Sequence, residues 1–234
     1  MSLISDNLQA VRADIRRAAY DCGRSEQQVS LLAVSKTFGA DAVLDAARSG
    51  QVAFGENYLQ EAVDKITFIR QHAPELDLEW HFIGPIQSNK TRPIAENFAW
   101  VHSVDREKIA HRLSEQRPAT MAPLNICLQI NISGEASKSG VPPEQAVNLA
   151  LAIAKLPGLC LRGLMAVPEP TNDEQQQRAA FRQLKFLNDE ITRHGIVLDT
   201  LSMGMSGDLH AAIAEGSTMV RIGTAIFGKR DYAK

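Results

Sequence analysis

Short β-branched runs alternate with longer helical patterns eight times along this chain, and that alternation restricts its fold more than any other feature. The runs are LLAVSK (31–36), VAFGEN (52–57), LEWHFIG (78–84), WVHSVD (100–105), NICLQINIS (125–133), LRGLMAV (161–167), LDTLSMG (198–204) and MVRIGT (219–224). Between them lie amphipathic segments. One is ADAVLDAARSG, with Val43, Leu44 and Ala47 on one face and Gly50 at its end; another is NYLQEAVDKITFIR, with Leu59, Val63, Ile66 and Ile69 at helical spacing. Eight βα units in 234 residues fit a (β/α)8 TIM barrel. A doubly wound sheet fits less well, because no GxGxxG follows the first strand.

An extra amphipathic helix precedes the first strand, with Leu8, Val11, Ile15 and Ala19 on one side. The loop candidates RPATMAPL (117–124) and VPEPTNDEQQQ (167–177) have the length of ordinary barrel loops, so residues 1–234 read as one domain. Hydrophobic residues at 44% and charged residues at 22% place the chain in the soluble globular class. The 25 Lys and Arg against 27 Asp and Glu give a net charge of −2 without long like-charge runs, which argues against nucleic acid and anionic membranes as partners. No basic n-region with an apolar run opens the chain, and no apolar stretch approaches the roughly 18 residues of a membrane span, so a cytoplasmic protein is expected. Cys22, Cys127 and Cys160 are too far apart for a disulfide framework or a thiolate site. The six histidines lack HxxEH or HxH spacing, so no metal site is expected.

Lys36 closes the first strand and shares a side with Leu32 and Val34. The carboxyl ends of barrel strands carry the chemistry in this fold. Partial burial lowers the pKa of a lysine and exposes a neutral amine able to attack an aldehyde. At the other end of the sequence, Gly204-Met205-Ser206-Gly207-Asp208 follows strand seven and opens a short helix through Leu209, Ala212 and Ile213. Gly223-Thr224 follows strand eight. Loops after strands seven and eight are the usual phosphate site of a barrel, and small residues with hydroxyls suit it. Arg221, between Val220 and Ile222, needs an anion or an acceptor if buried; an ion pair with a carboxylate such as Glu56 or Asp105 is one reading, and a ligand is the favoured partner. Together these residues describe a pocket for a phosphorylated aldehyde.

The segments LLAVSKTF, FGENYLQEAVDK, EWHFIGPIQSNK, SKSG, RGLMAV, LSMGMSGD and GSTMVRIGTAIFG resemble the signatures of the pyridoxal phosphate homeostasis protein family, related to the barrel domain of alanine racemase. The match runs from near residue 30 to the C-terminus. The resemblance implies that Lys36 carries pyridoxal 5′-phosphate (PLP) as an aldimine. It also implies that Ser206, Gly207, Gly223 and Thr224 cradle the phosphate and that Arg221 lies near the ring and phosphate. Asn57 would line the other side of the cofactor, with a helix N-cap as its second role, and Met203 would pack on the ring. In HFIGPIQSNK one of His81 and Phe82 faces the pocket, with Phe82 assigned to the core. Lys138, in Ser137-Lys138-Ser139-Gly140, is a rim lysine suited to cofactor transfer.

Racemases of this fold type take a second acid/base group from an additional C-terminal β domain, whereas this sequence ends after strand eight and a closing helix. The resemblance therefore implies a monomeric binding protein without established catalysis, one that buffers PLP and delivers it to PLP-dependent apo-enzymes. The competing readings are a weak amino-acid racemase, with Lys36 as one base and Tyr58 or a water as the other, and an aldolase using Lys36 on a sugar phosphate.

Overall fold

Each β-rich run becomes a parallel strand, and hydrogen bonds close the eight into a barrel in sequence order. The computed structural model describes residues 2–134 and 139–229. The strands are β1 (Ser30–Val34), β2 (Ala53–Glu56), β3 (Glu79–Phe82), β4 (Trp100–Val104), β5 (Leu124–Gln129), β6 (Leu159–Met165), β7 (Thr200–Ser202) and β8 (Met219–Ile222). The seam joins the first strand to the last, with Leu32 opposite Arg221 and Ala33 opposite Ile222. It sets Lys36, just beyond β1, beside the loop that follows β8.

The helices between strands are α2 (Ala40–Arg48), α3 (Leu59–His72), α4 (Thr91–Asn97), α5 (Glu107–Gln116), α6 (Pro143–Ile153), α7 (Glu174–Arg193) and α8 (Leu209–Ala214). The extra helix α1 (Leu3–Asp21) precedes β1, and the short α9 (Thr224–Phe227) follows β8. Ser2 caps α1 by accepting the Ser5 N–H at 3.2 Å, and the helix buries Leu8, Val11, Ile15 and Ala19 as its periodicity requires. No described helix is long and apolar enough to cross a membrane.

Strand alternation divides the interior in two. Ala33, Phe54, Trp80, Phe82, Leu128, Leu201, Val220 and Ile222 face outward and merge with the helices into the main hydrophobic core. Phe82 packs edge-on against Phe98 at 5.3 Å, in keeping with its core assignment. Inside the barrel the filling is unusually polar. Trp100, Cys127 and Met165 form a small separate cluster, His81 stacks on Trp100 at 5.3 Å, and His102, Ser202 and Arg221 are buried above it.

Two sequence expectations shift here. The buried stripe of α3 runs through Ala62, Lys65, Ile66 and Ile69, while Leu59 and Val63 are only half-buried at its edge. The helix is rotated because Lys65 is drawn into a buried polar network. Met203 is fully buried in the outer core, because it shares strand parity with outward-facing Leu201; Ser202 is the residue of that strand that points into the barrel.

Candidate functional site

A cavity of about 450 Å3 opens at the carboxyl ends of the strands. Lys36, Asn57, Ser206, Gly207, Arg221, Gly223 and Thr224 all line it, joined by Val34, Phe38, Ile83, Met165, Val167 and Met205. Met203 does not, and the thioethers at the cavity wall are Met165 and Met205. Lys138 and Ser137 lie outside the described residues.

Lys36 is half-buried and occupies a tight turn in which the Phe38 N–H donates to the Ser35 carbonyl at 3.1 Å. Thr37 in that turn has φ +69°, a region that β-branched residues rarely enter. Beneath the turn, Ser35 Oγ donates to Glu56 Oε1 at 2.6 Å, and Lys65 Nζ donates to the same oxygen at 2.6 Å and to the Ser35 carbonyl at 3.0 Å. Burial pushes the Glu56 carboxyl above its ordinary value, against the opposing charge of Lys65.

Arg221 is only 5% exposed. Its Nη1 donates to Ser202 Oγ at 2.8 Å and its Nη2 to the Ala166 carbonyl at 3.0 Å. No carboxylate among the described residues pairs with it: Glu56 pairs with Lys65 and Asp105 with Arg106. Neither carboxylate named from the sequence is its ion-pair partner. Burial pulls the guanidinium down to about 10, with Asp208 resisting the shift, so an anion in the cavity would stabilise its charge. Behind it runs a chain that sequence reasoning missed. His102 Nδ1 lies 2.8 Å from Ser202 Oγ, His81 Nδ1 lies 2.9 Å from His102 Nε2, and His81 Nε2 lies 2.8 Å from the exposed Glu79 carboxylate. Strand alternation at positions 81 and 102 carried the only available signal. His81 thus faces the barrel interior without lining the cavity.

On the same rim of the cavity, the loop after β7 turns at Gly204, which has φ +99°. Asp208 Oδ1 accepts the Met205 N–H at 2.6 Å, fixing the loop and leaving Ser206 and Gly207 exposed at the start of α8. Gly223 caps α9, where an added Cβ would meet the Val34 carbonyl at 3.1 Å, and Thr224 is the first residue of that helix. The first N–H groups of a helix have no partner within it, so the two loops present donors suited to a phosphate. Asn57 Oδ1 is buried without a hydrogen-bond partner, and Tyr58 rather than Asn57 stands at the N-cap of α3. The capping role expected for Asn57 is not found, which leaves its amide to the cavity. Tyr58 is exposed and lines a neighbouring cavity. No group of three or more His, Cys, Asp or Glu among the described residues is placed to hold a metal ion.

The residues present fit PLP: a lysine for its aldehyde, hydroxyl and glycine loops for its phosphate, and an orphaned amide oxygen and a guanidinium without an ion-pair partner among the described residues for its polar edge. Residues 7–231 match the alanine racemase N-terminal domain family. The chain is 60% identical to the pyridoxal phosphate homeostasis protein of Pseudomonas aeruginosa, over 99% of this chain and 98% of that one. It is 54% identical to the protein of that name from Escherichia coli, over the whole of both. Among solved structures, it is similar to PipY of Synechococcus elongatus PCC7942, solved with PLP bound, with a TM-score of 0.83 and 33% identity over 96% of this chain and 100% of that one. An alanine racemase of Clostridium difficile shares the fold at a TM-score of 0.74 and 17% identity, over 97% of this chain and 58% of that one. The chain therefore belongs to the pyridoxal phosphate homeostasis protein family, a branch of the alanine racemase N-terminal domain family.

Proposed function

We propose that this chain binds PLP in the cavity at the carboxyl ends of its strands, joined to Lys36 as an imine, and serves as a reservoir for that cofactor rather than as an enzyme. The observation that carries the reading is the presence, in one cavity, of half-buried Lys36 and a buried guanidinium that pairs with no carboxylate among the described residues. PLP supplies the electrophilic aldehyde. Lys36 supplies the amine, the Ser206-Gly207 and Gly223-Thr224 loops hold the phosphate, and Arg221 faces the ring as a donor only. A donor at the pyridine nitrogen keeps that nitrogen unprotonated and weakens its pull on electrons, which favours storage over turnover. The reading extends to residues 1–234 as a single cytoplasmic unit, monomeric, handing PLP on to apo-enzymes.

The test is the absorbance spectrum of purified protein before and after borohydride, followed by peptide mapping, with K36A alongside. A yellow band that reduction fixes on the Lys36 peptide, absent from K36A, is the expected result. A colourless protein that takes up no added PLP overturns the reading and returns the aldolase alternative. If the band appears, racemisation of added L-alanine by the loaded protein would overturn the storage role.

A further inference from the structure

The turn that carries Lys36 is held open by a helix that is not itself part of the cavity wall. We propose that Glu61, acting with Lys65, is a positioning residue for Lys36; this rests on the reading of Lys36 as the imine-forming lysine. The peptide groups on both sides of Lys36 are bonded to α3. Lys65 Nζ donates to the Ser35 carbonyl at 3.0 Å, and the Thr37 N–H donates to Glu61 Oε1 at 2.6 Å. The two α3 side chains are joined to each other at 3.2 Å, and Lys65, 3% exposed, is tied to β2 through Glu56 at 2.6 Å.

The third residue of a turn closed between Ser35 and Phe38 with positive φ is ordinarily glycine or asparagine. Here it is threonine, whose branched Cβ opposes φ +69°. A charge-assisted bond from Glu61 to that residue's own N–H offsets the strain, because it is lost if the peptide rotates. Lys36 therefore leaves the backbone from a position fixed by β2 and α3 together, and its amine is presented along a restricted set of directions. Imine formation benefits directly: the neutral amine attacks the aldehyde carbon, a C=N bond forms, and the aldehyde oxygen departs as water with the two amine protons. Holding the phosphate gains nothing from this device.

That asymmetry gives the test. Pyridoxine 5′-phosphate has the ring and phosphate of PLP but an alcohol in place of the aldehyde, so it forms no imine. Glu61 keeps 34% of its side chain exposed, and E61A should fold, as a melting curve will show. The expected result is a PLP affinity about tenfold weaker and slower growth of the imine band, with unchanged affinity for pyridoxine 5′-phosphate. Adding T37G to E61A should recover PLP binding, since glycine adopts positive φ unaided. Equal weakening for both ligands would show a general loosening and overturn the proposal, as would unaltered PLP binding in E61A. If wild-type protein bound pyridoxine 5′-phosphate but formed no imine with PLP, the underlying reading of Lys36 would fall first.

Discussion

Arg221 Nη1 donates to Ser202 Oγ at 2.8 Å, and this contact sets the direction of a hydrogen-bond chain that crosses the barrel interior. Arginine only donates, so Ser202 accepts from it and its own hydroxyl proton is free to go to His102 Nδ1. His102 Nε2–H then donates to His81 Nδ1, and His81 Nε2–H to Glu79. Both imidazoles are neutral in this arrangement, in agreement with burial, which lowers both below the ordinary histidine value.

S202A would leave one guanidinium N–H and His102 Nδ1 without a partner inside the barrel. The expected cost is about 1–3 kcal/mol of folding stability, read by urea denaturation. An unchanged midpoint would mean that water replaces the hydroxyl at no cost.

The histidine pair makes stability depend on pH in a definite direction. Burial holds their folded-state values below the ordinary histidine value of about 6.5, so under that pH the unfolded chain binds more protons than the folded one. Stability is fully present above about pH 6.5 and falls as the solution is acidified toward the folded-state values. Melting temperatures measured from pH 7.5 down to pH 5 should show this decline, and H102N should flatten it.

R221Q removes the charge that faces the cavity while sparing Lys36. The imine should still form and be trapped by borohydride, but PLP should be lost on the order of tenfold to a hundredfold faster during dialysis. Retention at the wild-type rate would assign Arg221 to barrel packing alone.

G204A tests the loop after β7. The residue has φ +99°, and an added Cβ would stand 2.6 Å from the Ala212 Cβ. A loss of about 2 kcal/mol is expected, with weaker competition by inorganic phosphate for PLP binding because Ser206 and Gly207 lose their fixed approach. Thermal denaturation and a competition titration read the two effects separately.

All eight strands were legible in the sequence because each is a compact apolar run between helical patterns, and the loops after β7 and β8 carried their own chemistry in Ser206, Gly207 and Thr224. What escaped was decided by parity and by contacts distant in sequence. The resemblance placed Met203 on the ring, yet it sits one position out of phase with Ser202 and is buried in the outer core. Asn57 read equally well as a helix cap, and only the start of α3 at Leu59 separates the two roles. Nothing local marks Lys65 as buried; its burial depends on Glu56 and Ser35, which the strand-to-helix geometry brings under it. The histidine chain joins β3, β4 and β7, and no local pattern records that three strands will point these side chains at one another.

The seam of the barrel carries a consequence for the order of events in the cell. Lys36 follows the first strand and Thr224 the last, and these strands are hydrogen-bonded neighbours. The lysine and the loop after β8 therefore lie nearly the whole described sequence apart and meet only when β1 pairs with β8. On the reading proposed above, a partly folded chain would offer the amine without the phosphate loops, so PLP uptake would require the closed barrel.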